Sequence, residues 1–192
     1  MPSLLRRRRA KLPEANPLPH ILGYGLVLAA LITVYVATRT GQPTLGLDED
    51  SLALAWNEAA LDVGSPEHRI GDLQQTTNDV VGFAWSEDLV IVARVDPDAD
   101  APRPVVELAA LGSPGRDGIE SVLTVLELVV RVAAPQLDRT ERRAVLADLS
   151  LVSDGRPASI DSTTRAGGVE FRASSDPGDD QLGIGAIPLG GP

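Results

Sequence analysis

The sequence predicts an α+β domain with a mainly antiparallel sheet and helices packed on one face, preceded by a single N-terminal transmembrane helix. Three observations predict it. A basic cluster, Arg6, Arg7, Arg8, Arg9 and Lys11, stands before an uncharged apolar run from Ile21 to Thr38. Beyond that run the apolar pattern switches from helical spacing to alternation, back to helical spacing, and again to alternation. The segment from residue 40 to 192 is long enough for one domain with its own core, and it contains no cysteine to staple it.

A helix rising ~1.5 Å per residue needs roughly 17 to 25 apolar residues to cross a ~30 Å hydrocarbon layer, so Ile21 to Thr38 meets the short end of that range. The organisation follows: 1–19 a basic cytoplasmic lead, 20–38 the membrane helix, 39–47 a linker, 48–192 an extracytoplasmic domain. Orientation comes from charge, because the five cations of the lead are answered after the run by Arg39 and then by Asp48, Glu49 and Asp50. Tyr24 and Tyr35 fit the two interfacial belts. A cleaved secretory signal is the competing reading. The run exceeds the usual ~7 to 15 residues of such signals, and bulky Tyr35 spoils a small-x-small site at Ala37. Within the run Gly25, Ala29, Thr33 and Ala37 recur every fourth residue, a stripe that lets another membrane helix approach closely. The expected partners are therefore the lipid bilayer and other membrane or envelope proteins.

In the domain, Asp48 caps a helix whose Leu52, Ala55, Trp56, Ala59, Ala60 and Val63 share one face and which stops at Gly64. Val80 to Trp85 and Leu89 to Val95 form a hairpin across the polar Ser86-Glu87-Asp88 turn, with a possible earlier strand near Leu73. Val105 to Leu111 is a further strand. Asp117 with Glu120 resembles a capping box opening a helix from about Gly118 to Ala134, apolar enough to be the central buried one. Glu120, Glu127 and Arg131 exclude it as a second membrane crossing, since burying them in lipid is costly. Asp138 with Glu141 opens a shorter helix to Leu149. Asp154-Gly155 marks a turn, Ile160 to Arg165 a strand, and Ala166-Gly167-Gly168 a tight reversal into Val169, Phe171 and Ala173, which alternate with Glu170, Arg172 and Ser174. Leu182, Ile184 and Ile187 suggest a last edge strand.

Residues 40–192 hold 26 acidic and 11 basic side chains, so the domain repels nucleic acid, whose binding needs clustered Lys and Arg. Arginine dominates the cations, and Ala, Gly, Pro and Val are abundant, a bias typical of GC-rich bacterial genomes. Six aromatic residues in the chain are too few for a sugar-stacking platform, and Trp56 and Trp85 are expected to anchor the core. No sequence pattern demands a cofactor. His68 is the domain's single histidine, expected on an exposed loop, so any Ser-His-acid relay depends wholly on it. Asp96, Asp98, Asp100 and Glu107 have the 1, 3, 5, 12 spacing of a calcium loop. However, Ala101 replaces the needed glycine and Pro97, Pro102 and Pro104 stiffen the path, which favours a solvated loop between strands. Gly112-Ser113-Pro114-Gly115 lacks the lysine of a phosphate loop. The favoured function is a non-enzymatic membrane protein that binds other envelope proteins. The rivals are a carboxylate-based hydrolase, for which Glu87-Asp88 and Asp179-Asp180 offer acids, and a small-ligand sensor or carrier with an apolar pocket under the central helix.

Overall fold

The computed structural model describes residues 42–151, 160–176 and 180–190. The basic lead with Arg6, Arg7, Arg8, Arg9 and Lys11, the apolar run with its stripe Gly25, Ala29, Thr33 and Ala37, and the Asp154-Gly155 turn lie outside these residues. Among the described residues no helix is long and apolar enough to cross a membrane.

Helix α1 spans Glu49–Asp62. The Asp48 carboxylate accepts the Ser51 amide at 2.7 Å while the Ser51 hydroxyl accepts the Asp48 amide at 2.9 Å, a reciprocal cap that satisfies two otherwise orphaned donors. The Ser51 amide, donating to it, holds the Asp48 carboxyl below its usual range. Its apolar stripe buries Leu52, Trp56, Ala59 and Ala60, and Gly64 supplies the left-handed φ of +78° that turns the chain away. A 3₁₀ turn, Pro66–His68, follows.

Four strands come next: β1 (Gln74–Thr77), β2 (Val80–Ala84), β3 (Val90–Val95) and β4 (Val105–Gly112). A short helical turn α2 (Pro114–Asp117), the long α3 (Ile119–Ala133) and α4 (Arg139–Asp148) lead to β5 (Asp161–Ala166), β6 (Val169–Asp176) and β7 (Gln181–Pro188). Among the described residues the strands form one seven-stranded sheet in the order β1-β2-β3-β4-β7-β6-β5, and every neighbouring pair is antiparallel. The domain is thus α+β. Strand β7 is not the edge that its position near the end of the chain suggested. It lies between β4 and β6 because Leu182, Ile184 and Ala186 form an apolar row that is buried only at the sheet centre.

Helix α3 lies over β4 and β7, and its Val122, Val125, Leu126 and Val129 are fully buried with Ile91, Leu108, Ala110, Phe171 and Ile184. Register puts all five of those sheet residues on one face. Helix α1 packs on α3, and α4 packs on β5. The start of α3 differs from the capping box expected of Asp117 and Glu120. Gly118 is the N-cap, and Asp117 turns back to accept the Ser113 amide at 3.1 Å and the Ser86 hydroxyl at 2.6 Å. The box at Asp138 and Glu141 does form.

Candidate functional site

His68 is buried, only 6 % exposed, and not on an exposed loop. The Pro66–His68 turn tucks the imidazole inward, edge-on to Trp85, with ring centroids 6.1 Å apart. Its Nε2 lies 2.7 Å from Ser121 Oγ in the first turn of α3, and its Nδ1 lies 3.5 Å from Glu67 Oε1. Serine, imidazole and carboxylate are the residue types of a hydrolytic relay. Their exposure runs the other way, for the Glu67 side chain is 66 % exposed and the His68 side chain 7 %. A relay buries its carboxylate so that it can fix the imidazole at hydrogen-bonding distance. At 3.5 Å, on the solvent side, Glu67 does not.

The surrounding bonds describe a strap. Trp56 Nε1 donates to the His68 carbonyl at 2.9 Å, and Trp85 Nε1 donates to the Arg69 carbonyl at 3.1 Å. Asn57 brackets Ile70, accepting its amide at 2.7 Å and donating to its carbonyl at 2.9 Å. His68 and Ile70 are thereby tied to α1 and Arg69 to the end of β2, and the His68–Ser121 bond ties the same segment to α3. Trp56 is fully buried and anchors the core as expected; Trp85 is half-buried beside it, 5.8 Å between centroids.

The other acidic candidates do not converge. Asp96, Asp98 and Asp100 lie in the β3–β4 turn, where the Asp98 amide donates to Asp96 Oδ1 at 3.1 Å. Glu107 stands apart on β4, paired with Arg94 at 3.4 Å. Among the described residues no cluster of three or more metal-ligating side chains occurs. In the Gly112–Gly115 loop, Asp180 accepts the Gly115 amide at 2.7 Å and the Ser113 hydroxyl at 3.2 Å, so the chain's own carboxylate fills the place a phosphate would take. Asp88 is paired with Arg116 at 2.7 Å; Asp179 lies outside the described residues. Glu49, Asp50 and Asp72, with Ala53, Leu73 and Val81, line a recess of about 280 Å³. Arg103 claims Glu49 at 2.7 Å and holds its carboxyl below the usual range.

A further polar constellation crosses the helix-free face of the sheet. Arg94 on β3 is opposite Glu107 on β4, and Glu170 on β6 is opposite Arg165 on β5. Glu170 accepts Arg165 at 2.7 and 2.9 Å through one oxygen and Arg172 at 2.8 Å through the other. The Arg172 and Arg165 guanidiniums therefore hold its carboxyl below the usual range. Glu107 behaves oppositely. Burial pushes its carboxyl up to about 7, and Arg94, at 3.4 Å, only partly offsets that. Half of this ladder is local in the sequence, since the two-residue Gly167-Gly168 reversal sets Arg165 opposite Glu170 and Arg172 follows by alternation; the Arg94–Glu107 pairing, across the long β3–β4 connection, has no such local signal.

Comparison with known protein families, with curated proteins and with solved structures finds no match.

Proposed function

We propose that the protein is a non-enzymatic, single-pass membrane protein of a bacterial envelope whose acidic domain, held outside the cytoplasm, binds other proteins as an accessory or assembly subunit. The observation that carries this reading is the uncharged Ile21 to Thr38 run, set between five cations and a domain with 26 acidic and 11 basic residues. The way the chain enters the fold supports it. Leu45 N donates to the Val105 carbonyl at 2.9 Å, and Val105 N donates to the Leu47 carbonyl at 2.8 Å, so the second half of the expected 39–47 linker belongs to the domain. Residues 39–44 span at most ~21 Å even when fully extended. Such a tether keeps the domain within reach of proteins in or at the same bilayer. The acidic surface favours partners with exposed Lys and Arg and disfavours nucleic acid.

The experiment is gentle extraction of the full chain, followed by crosslinking and identification of what co-purifies. A different membrane or envelope protein at fixed stoichiometry is expected, and replacing Ala29 and Thr33 with Leu is expected to deplete it through the small-residue stripe. Recovery of this chain without any heterologous partner contradicts the reading.

A further inference from the structure

The two edges of the sheet are built differently. β1 is four residues long, and its pairing with β2 is interrupted by a register shift between Gln75 and Thr77. Short, bulged edges resist pairing with another chain. β5 has six residues, Asp161 to Ala166, in unbroken register with β6, without proline, lysine, glycine or a bulge. Its outer side pairs with no element among the described residues.

Register fixes which groups point outward. β5 and β6 are joined by Gly167 and Gly168, both with positive φ, so Ala166 and Val169 close a two-residue hairpin as a hydrogen-bonded pair. Alternation then makes residues 164 and 162 the inward-bonding ones, and Ser175 N donating to the Ile160 carbonyl at 2.9 Å continues that phase. The outward N–H and C=O groups therefore belong to Asp161, Thr163 and Arg165. Their side chains share the helix-free face with Arg172, opposite Thr163, and all three are exposed.

We propose that β5 pairs antiparallel with β5 of a second copy of this chain, centred on Thr163 at a two-fold axis, so that the two sheets join into one. In that register every outward amide and carbonyl of Asp161, Thr163 and Arg165 finds a partner. Asp161 faces the other copy's Arg165, Arg165 faces its Asp161, and the two Thr163 side chains adjoin. Opposite charges and Thr–Thr pairs are the cross-strand combinations that stabilise a sheet, and the isologous geometry closes after two copies. Asp161 makes no hydrogen bond or ion pair among the described residues. Arg165 meets Glu170 through Nε and Nη2 and keeps further donors on a side chain that is 69 % exposed. On the helix side the same operation brings α4 towards its copy, where the exposed residue one turn before Asp148 is the small Ala144. The inference uses the domain alone and does not rest on the anchor or on a heterologous partner.

Because the chain has no cysteine, single cysteines report the register in the full protein reconstituted in lipid nanodiscs. Hydrogen-bonded antiparallel partners have Cα atoms about 5.5 Å apart, within the roughly 4.4–6.8 Å that a disulfide bridges. Thr163→Cys is expected to form a disulfide dimer under mild oxidation. Asp161→Cys alone is not, since its two copies stand about 13 Å apart along the strands, whereas mixing Asp161→Cys with Arg165→Cys restores the crosslink. In sedimentation of the cysteine-free chain, Asp161→Arg is expected to weaken self-association about tenfold, because like charges then face each other on both sides of the axis while the Arg165–Glu170 pair of the fold is left in place. Thr163→Pro removes an outward N–H that the fold itself does not use and is expected to give monomers. An unmodified chain that sediments as a monomer overturns the proposal. So does crosslinking of Asp161→Cys as readily as Thr163→Cys, or an Asp161→Arg chain that self-associates as tightly as the unmodified one.

Discussion

On the helix side of the sheet, Phe171, Ala173 and Ile184 belong to one apolar cluster with Leu126 and Val129, and that face offers few polar groups to satisfy. On the opposite side the sheet carries Arg94 on β3, Glu107 on β4, and Glu170 and Arg172 on β6, and Glu107 and Glu170 are only 4 % and 7 % exposed. One face is held by removing carbon from water, which is non-directional and tolerant of pH. The other is closed by long arginine side chains lying over carboxylates, whose worth depends on protonation and on register. A sheet bare of helices on one side is thus not simply wet. Its two acids are nearly as sheltered as the core, Glu170 held charged by Arg172 and Arg165 and Glu107 pushed towards its protonated form by burial.

Phe171→Ala is expected to lower stability by about 3–5 kcal/mol in denaturant titration, because it leaves a cavity beside fully buried α3 residues. A loss near 1 kcal/mol would erase the contrast with the charged face. Glu107 gives the next largest effect. Its carboxyl, raised from 4.5 to about 7 in the fold, keeps a proton that the unfolded chain releases. Stability should therefore fall as pH rises from about 4.5 to 7 and level off above, by roughly 1–3 kcal/mol. Glu107→Gln should abolish that slope in melting curves recorded across the window. Glu170 and Glu49 act in the opposite sense, their lowered carboxyls withdrawing support as pH drops below the ordinary glutamate range.

Two glycines differ in the same way. A Cβ at Gly112, on the helix side, lies 2.7 Å from Val122 and 2.8 Å from Leu89, so Gly112→Ala should cost about 1–3 kcal/mol. At Gly185, on the helix-free side, nothing lies within 4 Å, and Gly185→Ala should change stability by no more than about 0.5 kcal/mol. Equal effects at the two positions would mean that the helix-free face is covered in solution.

The helix side was largely legible in the sequence. The spacing of Leu52, Trp56, Ala59 and Ala60, the β-branched run of β3, and the Gly167-Gly168 reversal each carry local geometry in a few residues. Strand order was not, because whether β7 ends the sheet or enters its middle depends on which face of α3 covers Leu182 and Ile184. The burial of His68 is illegible for a similar reason. Pro66 and Glu67 look like a surface turn, and only the indoles of Trp56 and Trp85, bonding back to the carbonyls of 68 and 69, draw the imidazole in. On the helix-free face the Arg165–Glu170 pair follows from the local Gly167-Gly168 reversal, whereas the Arg94–Glu107 pair depends on the register of β3 with β4 across a long connection, which no local pattern specifies.

The functional reading rests on a domain that stands beyond the bilayer. The exposed Glu58 on α1 is a suitable reporter, because the chain offers no competing thiol. With Glu58→Cys in intact cells, a membrane-impermeant maleimide is expected to label the protein fully without permeabilisation, at the mass of the uncleaved chain. Labelling that appears only after the membrane is opened would put the acidic domain in the cytoplasm and contradict the account.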